Sequence, residues 1–84
     1  MINLIPHSGS YLADKALALA DGSDFPAAYH GMASALRVGD FLEASIRIGM
    51  VINSESGKRL QTVNYIRESL RESIHRIILN MSGK

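Results

Sequence analysis

Apolar residues recur at steps of three and four along most of this chain, a spacing that predicts amphipathic helices and no strands. The clearest pattern lies in the last third, where the apolar positions fill one stripe about 120° wide on a helical projection. This pattern predicts a long amphipathic helix over about 58–81. The stripe comprises Leu60, Val63, Ile66, Leu70, Ile74, Ile77, Ile78 and Met81.

Three shorter helices are expected before this long one, because residues that start and stop helices separate the apolar segments. The expected helices cover about 11–20, the segment from directly after Asp24 to about 38, and about 41–53, with a turn at 54–57. The candidate N-caps are Ser8 or Ser10, Asp24, with Pro26 following it in the first turn, and Asp40. The candidate stops are Asp21 with Gly22, and Gly39.

The helix expected at 41–53 carries apolar residues on two sides. One face comprises Phe41, Ala44, Ile48, Val51 and Ile52. Leu42, Ile46 and Met50 form a second line at steps of four residues. The second line predicts an interface with another subunit or partner, and the alternative is that the first helix lies across it. Leu79 and Tyr65 fall outside the stripe of the last helix and extend the candidate interface.

The length of 84 residues predicts one helical domain, 1–84, of the all-α class, a small bundle of about four helices. A chain this short builds a thin core, and the absence of cysteine excludes disulfides. We therefore expect oligomerisation to complete the core. The N-terminal residues lack the basic start and apolar length of a signal peptide, and no apolar run is long enough for a membrane span. A cytoplasmic protein with no membrane partner is expected.

No set of residues predicts catalysis, a metal site or a cofactor. His7, His30 and His75 stand in separate segments without a paired ligand. The stretch 54–59 has the Gly and Lys of a phosphate-binding loop, but Ile52 replaces its first Gly and Arg59 its Ser or Thr. The acidic residues are scattered singly, so no carboxylate pair is visible. We expect a protein that is not an enzyme.

Charge is divided unevenly along the chain, with −3 over residues 1–55 and +4 over residues 56–84. A basic flank of the last helix predicts contact with nucleic acid or with an acidic partner. Its members are Lys58, Arg59, Arg67, Arg71 and Arg76. Because Glu68 and Glu72 interrupt this row and the net charge is only +1, DNA is the less favoured partner.

Residues 29–52 resemble one tetratricopeptide-type helical hairpin, in which small residues let two helices approach closely. The matching positions are Ala35, Gly39, Asp40, Phe41 and Ala44, with Ile48 where an aromatic residue is usual. The opening Trp and Leu-Gly positions of that repeat are Ala28, Gly31 and Met32 here. The resemblance implies a helix hairpin and not an array, which needs about three repeats.

A second resemblance is to the small enterobacterial biofilm and acid-resistance regulators, a family of short helical dimers. It is carried by the stretch 14–18, by Gly31, by Gly39 with Asp40, and by Ile66, Arg67 and Leu70. The chain departs from that family at 41–45, where the family tends to be polar. The resemblance implies a small helical regulator.

These features favour a non-enzymatic regulatory protein that binds proteins as a homo-dimer or homo-tetramer. An example is an antirepressor-like protein of bacterial or phage type that inhibits or modulates a transcriptional regulator. Two alternatives stay open: a DNA-associated regulator that uses the basic flank, and a helical chaperone or assembly factor built on the tetratricopeptide-like hairpin. Assembly is expected to fail when Ile46 or Met50 becomes Asp.

Overall fold

The structure, a computed structural model, describes residues 9–82 and has four α-helices over that range. They are α1 Gly9–Ala20, α2 Pro26–Arg37, α3 Phe41–Val51 and α4 Gly57–Ser82, with one 3₁₀ turn, Ile52–Ser54, between α3 and α4. No strand occurs among the described residues. The all-α class, the four helices and the long C-terminal helix are confirmed.

Local stop and start signals set the turns on both sides of α2. Gly22 and Gly39 have φ values of 81° and 76°, in the left-handed region that favours glycine. The Asp40 carboxylate accepts the Glu43 backbone N–H at 3.1 Å and caps α3. Gly39 as the end signal of α2 and Asp40 as the cap of α3 are therefore confirmed.

The expected caps of the first two helices were wrong or lie outside the described residues. Residue Phe25, not Asp24, occupies the cap position of α2, and no side chain caps it. The reason is Pro26, which disfavours a helical conformation in the residue before it and so becomes the first helical residue itself. Ser10 lies inside α1, and Ser8 lies outside the described residues.

The helix expected at 41–53 is shorter than predicted. It ends at Val51, and the chain continues as the 3₁₀ turn, a tighter winding that is frequent at the ends of α-helices. The face predicted to point inward does so, because Ala44, Ile48 and Val51 are buried and Phe41 and Ile52 pack against the core. The inward face of α3 is thus confirmed.

The core lies between α1, α2 and α3, with the N-terminal half of α4 closing it. Helix α1 packs on α2 and α2 packs on α3, while α4 contacts α1 and α3. The largest fully buried side chains in this core are Tyr29, Leu12, Met32, Leu36, Ile48, Ile66, Leu70, Val51 and Val63. The burial of apolar side chains supplies most of the favourable free energy of folding.

Helix α4 is about twice as long as the helices on which it packs. Its 26 residues span about 39 Å, whereas α1 and α2 have 12 residues each and α3 has 11. The described part of the molecule measures 44 × 26 × 22 Å. No described residue after Leu70 is buried, so the second half of α4 extends beyond the core. Neither this helix nor any other in the described range is long and apolar enough to cross a membrane.

Candidate functional site

The line of apolar residues on the outer side of α3 lies exposed on the surface. Leu42, Ile46 and Met50 expose 72%, 54% and 61% of their surface. Helix α1 does not lie across this line, since no Cα atom of α1 comes within 8 Å of a Cα atom of α3 among the described residues. The alternative of intramolecular cover by the first helix is therefore wrong. We call Leu42, Ile46 and Met50 the outer face of α3.

A gap in the side-chain layer lies beside this outer face. Gly49 lies beside Ile46 on the helical surface, on the side away from Met50, and a methyl group added at Gly49 would meet nothing within 4 Å. Ser45, one turn earlier, is also small. Small residues next to exposed apolar side chains allow another helix to pack closely. The outer face of α3 therefore combines exposed apolar side chains with small neighbours, as a helix contact surface does.

A second exposed apolar surface lies at the free end of α4. Here the stripe predicted from the sequence continues beyond the core: Val63, Ile66 and Leu70 are buried, but later members of the stripe are not. We call these later members the distal stripe. They are Ile74, which is half-buried, and Ile77, Ile78 and Met81, which are exposed. The sequence pattern placed all eight residues on one face but could not show that half of the stripe lacks cover.

The two remaining residues of the predicted interface lie on other parts of α4. Leu79 is exposed, on the side of the helix away from the distal stripe. Tyr65 is half-buried and packs edge-on against Tyr11 of α1, with 6.5 Å between ring centroids. Lys15 lies about 5 Å from both rings, within the range of a cation–π contact. Burial, together with a hydrogen bond to Tyr11, raises the pKa of Tyr65. Tyr65 therefore already joins α4 to α1.

Among the residues of the basic flank, Arg59 is engaged inside the molecule. Its guanidinium donates to the Glu55 carboxylate at 2.8 Å and to the carbonyl oxygens of Leu19 and Asp21 at the end of α1. It also lies over the ring of Tyr29, 5.9 Å from the centroid. These carbonyl groups have no partner within α1, so Arg59 supplies the hydrogen bonds that the end of the helix needs.

The other basic residues are exposed along α4. Lys58, Arg67, Arg71 and Arg76 all have exposed side chains. Glu68 lies between two of them, 3.7 Å from Arg67 and 3.8 Å from Arg71. Its carboxylate partly offsets their charge, although ion pairs this exposed contribute little to stability. The basic flank therefore carries charges of both signs and a net positive charge.

Tyr29, Glu55 and Arg59 form a cluster that the sequence analysis did not find. The Tyr29 hydroxyl donates to Glu55, which also accepts from Arg59. The hydrogen bond from Arg59, followed by that from Tyr29, lowers the pKa of Glu55. Burial and the bond to Glu55 raise the pKa of Tyr29. The four-residue spacing of Glu55 and Arg59 was the available signal, but nothing local pointed to Tyr29, 26 residues earlier.

The described residues contain no group of three or more His, Asp or Glu side chains that could hold a metal ion. Every buried side-chain nitrogen or oxygen atom described has a hydrogen-bond partner. One open depression on the surface is lined, among the described residues, by side chains of α4 from Tyr65 to Ile78. The exposed apolar helix faces are therefore the candidate binding surfaces among the described residues.

Comparison with known proteins adds no relative: no family model, curated protein or solved structure matches the chain.

Proposed function

We propose that this is a small, non-catalytic regulatory protein that acts in the cytoplasm by binding proteins, as a homo-oligomer. Its proposed target is a transcriptional regulator that it inhibits or modulates. The observation that carries the proposal is the outer face of α3, three large apolar side chains on a helix whose opposite face is core. Contiguous exposed apolar surface of this kind marks sites of protein interaction.

The size of the core also supports an oligomer. A chain of 84 residues buries a limited share of its surface, and half of its longest helix lies outside the core. Small proteins without disulfides commonly gain stability from association, which buries apolar area that the monomer leaves in water. Both exposed helix faces could be covered in this way.

The proposal is tested by sedimentation velocity on the wild type, on Ile46→Asp and on Met50→Asp. We expect the wild type to sediment as an oligomer and both variants to sediment with a lower mass, because each places a charge in an apolar interface. Val38→Asp is the matched control, because Val38 is 79% exposed but lies in the connection between α2 and α3 and not on the outer face of α3. A wild type that stays monomeric at every concentration would contradict the proposal.

The regulatory part of the proposal needs a separate measurement. Raised expression of the wild type in its native host is expected to change a defined set of transcripts, and Ile46→Asp at equal abundance is expected not to. If both proteins give the same transcript profile, the outer face of α3 is not the regulatory surface. A profile unchanged by the wild type would count against a transcriptional target.

A second candidate function, a DNA-associated regulator, is favoured by the exposed side chains of Lys58, Arg67, Arg71 and Arg76 on α4. It predicts retardation of duplex DNA at low salt, an affinity that falls steeply with added salt, and weaker binding by Arg71→Glu or Arg76→Glu. No retardation at low salt would remove this candidate. Arg59 is left out of these variants because its substitution would disturb the end of α1.

The chaperone or assembly-factor alternative has narrower support. Helices α2 and α3 pack as neighbours joined by a three-residue connection, which is the hairpin that the tetratricopeptide resemblance implies. Ala35 and Ala44 are buried in it. One hairpin cannot build the concave surface of an array. We therefore place this alternative after the regulatory function.

A further inference from the structure

We propose that the distal stripe of α4 pairs with the distal stripe of a second copy of this chain, the two helices running antiparallel about a two-fold axis. This inference rests on the homo-oligomer of the proposed function and assigns its main contact to a surface other than the outer face of α3. The stripe, its flanks and the shape of the molecule each support the same arrangement.

The spacing of the stripe is that of a coiled-coil seam. Leu70, Ile74, Ile77 and Met81 follow one another at steps of four, three and four residues. A seam with this alternation packs against an equivalent helix, each side chain entering a gap between residues of the partner. Leu70 is buried by the core, so the free part of the seam begins at Ile74. One partner helix could cover it.

The residues beside the seam make it compatible with its own copy. In an antiparallel pair, Ile74 can lie against the partner's Ile77. The same register places Arg71 beside the partner's Ile78, and Ser73 beside the partner's Asn80. The methylene groups of Arg71 can cover Ile78, and the two small polar side chains can hydrogen-bond. Among the described residues, no like charges face one another along this contact. Self-association through this part of α4 therefore meets no electrostatic obstacle.

A parallel arrangement is less favourable for two reasons. Arg67 occupies the seam position before Leu70, so a parallel pair would bring the two Arg67 side chains together, and like charges repel. Parallel helices would also place both three-helix cores at the same end of the pair, where they compete for space. Antiparallel helices put the cores at opposite ends, which fits a body 26 × 22 Å wide beside a free helix end.

The antiparallel pair also buries the most exposed member of the stripe. Met81, 74% exposed at the tip of α4, would reach the level of the partner's Leu70, where the partner's helix leaves its core. Specific interfaces usually bury about 800 Å² on each side, more than two short helix segments supply. Contact between each tip and the partner's core adds area that a parallel pair would not gain. The complete stripe is thereby removed from water.

The first test compares Ile77→Asp with Leu79→Asp by sedimentation velocity. The two wild-type residues have similar exposure, 47% and 54%, and lie on the same free helix but on different sides. We expect Ile77→Asp to weaken self-association on the order of 30-fold or more and Leu79→Asp to leave it unchanged. Circular dichroism of both variants checks that α4 stays helical, since Asp disfavours a helix equally at either position.

The second test measures direction by disulfide trapping, which is clean because the chain has no cysteine of its own. An equimolar mixture of Arg71→Cys and Ile78→Cys chains is expected to form mainly the mixed disulfide. Met81→Cys alone is expected to form little, because antiparallel tips lie about 16 Å apart along the axis. Rapid Met81→Cys dimers without the mixed product would overturn the antiparallel arrangement.

The outcomes separate this inference from the proposed function. An oligomeric wild type that loses mass with Ile46→Asp but not with Ile77→Asp would overturn the pairing of α4 and leave the proposed function standing. Equal losses with Ile77→Asp and Leu79→Asp would also overturn it. A monomeric wild type that associates only after removal of residues 1–8 would assign the cover to that segment, against our proposal.

Discussion

At the scale of single residues, the three side chains of Tyr29, Glu55 and Arg59 connect the ends of several helices. Tyr29 comes from α2, Glu55 from the connection after α3, and Arg59 from the first turn of α4, which reaches the end of α1. The carboxylate of Glu55 is the common acceptor of the cluster. Because it is ionised and largely buried, its hydrogen bonds are stronger than those between neutral groups.

We predict that Tyr29→Phe lowers the free energy of unfolding by about 1.5–3 kcal/mol at neutral pH, because it removes a hydrogen bond to a charged acceptor. The corresponding fall in Tm is on the order of 10 °C for a domain of this size. Thermal unfolding followed by circular dichroism measures it. A change below about 0.5 kcal/mol would show that the bond makes no net contribution.

The effect of Tyr29→Phe should depend on pH in a defined direction. The folded-state pKa of Glu55 is lowered from 4.5, so its contribution is present above pH 4.5 and is lost as the pH falls through the folded pKa. The pKa of Tyr29 is raised from 10.0, so its contribution is present below pH 10 and is lost as the pH rises above that value. Measuring the free energy of unfolding of both proteins from acid to alkaline pH tests both predictions. A stability difference between Tyr29→Phe and the wild type that does not shrink at acid pH would contradict the role given to Glu55.

Two glycines give a matched pair of predictions at this scale. A methyl group at Gly9 would collide with the carbonyl oxygen of Leu36, whereas one at Gly49 would enter open space. We expect Gly9→Ala to destabilise the fold and Gly49→Ala to stabilise it by up to about 1 kcal/mol, the helix propensity difference between Gly and Ala. Urea unfolding of both variants decides it. A Gly9→Ala variant that is as stable as the wild type, or more stable, would contradict the close approach of α1 and α2.

At the scale of elements, the ends of the helices depend on hydrogen bonds that particular side chains make or fail to make. Asp40 caps α3, but Asp24, in the same role by sequence, does not cap α2. A side chain can cap only when the helix begins directly after it, and Pro26 moves that start by one residue. The two aspartates therefore differ in energy although they read alike in sequence.

We predict that Asp40→Ala lowers the free energy of unfolding by about 1 kcal/mol and that Asp24→Ala changes it by less than about 0.3 kcal/mol. The first variant leaves the Glu43 N–H without its acceptor, and the second removes no cap. Chemical denaturation of both proteins measures the difference. Equal losses of stability in the two variants would show that Asp24 stabilises α2 although it does not cap the helix.

The elements that the sequence predicted correctly are those specified by neighbouring residues. The inward face of α3, the stop at Gly39 and the cap at Asp40 depend on spacing or on a single local hydrogen bond. The outer face of α3 was also found, since its three apolar residues recur at steps of four. The contact from Tyr29 to Glu55 joins residues 26 apart, and no local pattern encodes it.

At the scale of the whole molecule, the exposed half of α4 is the feature that spacing alone could not show. Periodicity says which side chains share a face, but not whether another element lies against that face. Ile66 and Ile77 read alike in the stripe, yet the first is buried and the second is exposed. The difference follows from helix length, because α1 and α3 are too short to cover all of α4.

Two uncovered apolar faces on one small protein have consequences for assembly. In the proposed assembly the distal stripe forms a dimer, which leaves the outer face of α3 for a second dimer contact or for the proposed regulatory target. A tetramer with both contacts would have two kinds of symmetric interface, as is common in small homo-oligomers. In such a tetramer, Ile46→Asp is expected to leave dimers joined through α4, and Ile77→Asp to leave dimers joined through the outer face of α3.

Whether this protein acts by association through its exposed helix faces can be decided from its mass in solution. Sedimentation equilibrium of the wild type over a wide concentration range is expected to give a mass of at least twice the 9.2 kDa of one chain. Ile77→Asp is expected to lower that mass, and Leu79→Asp is expected to leave it unchanged. A wild type that remains at 9.2 kDa at every concentration would contradict the proposed association.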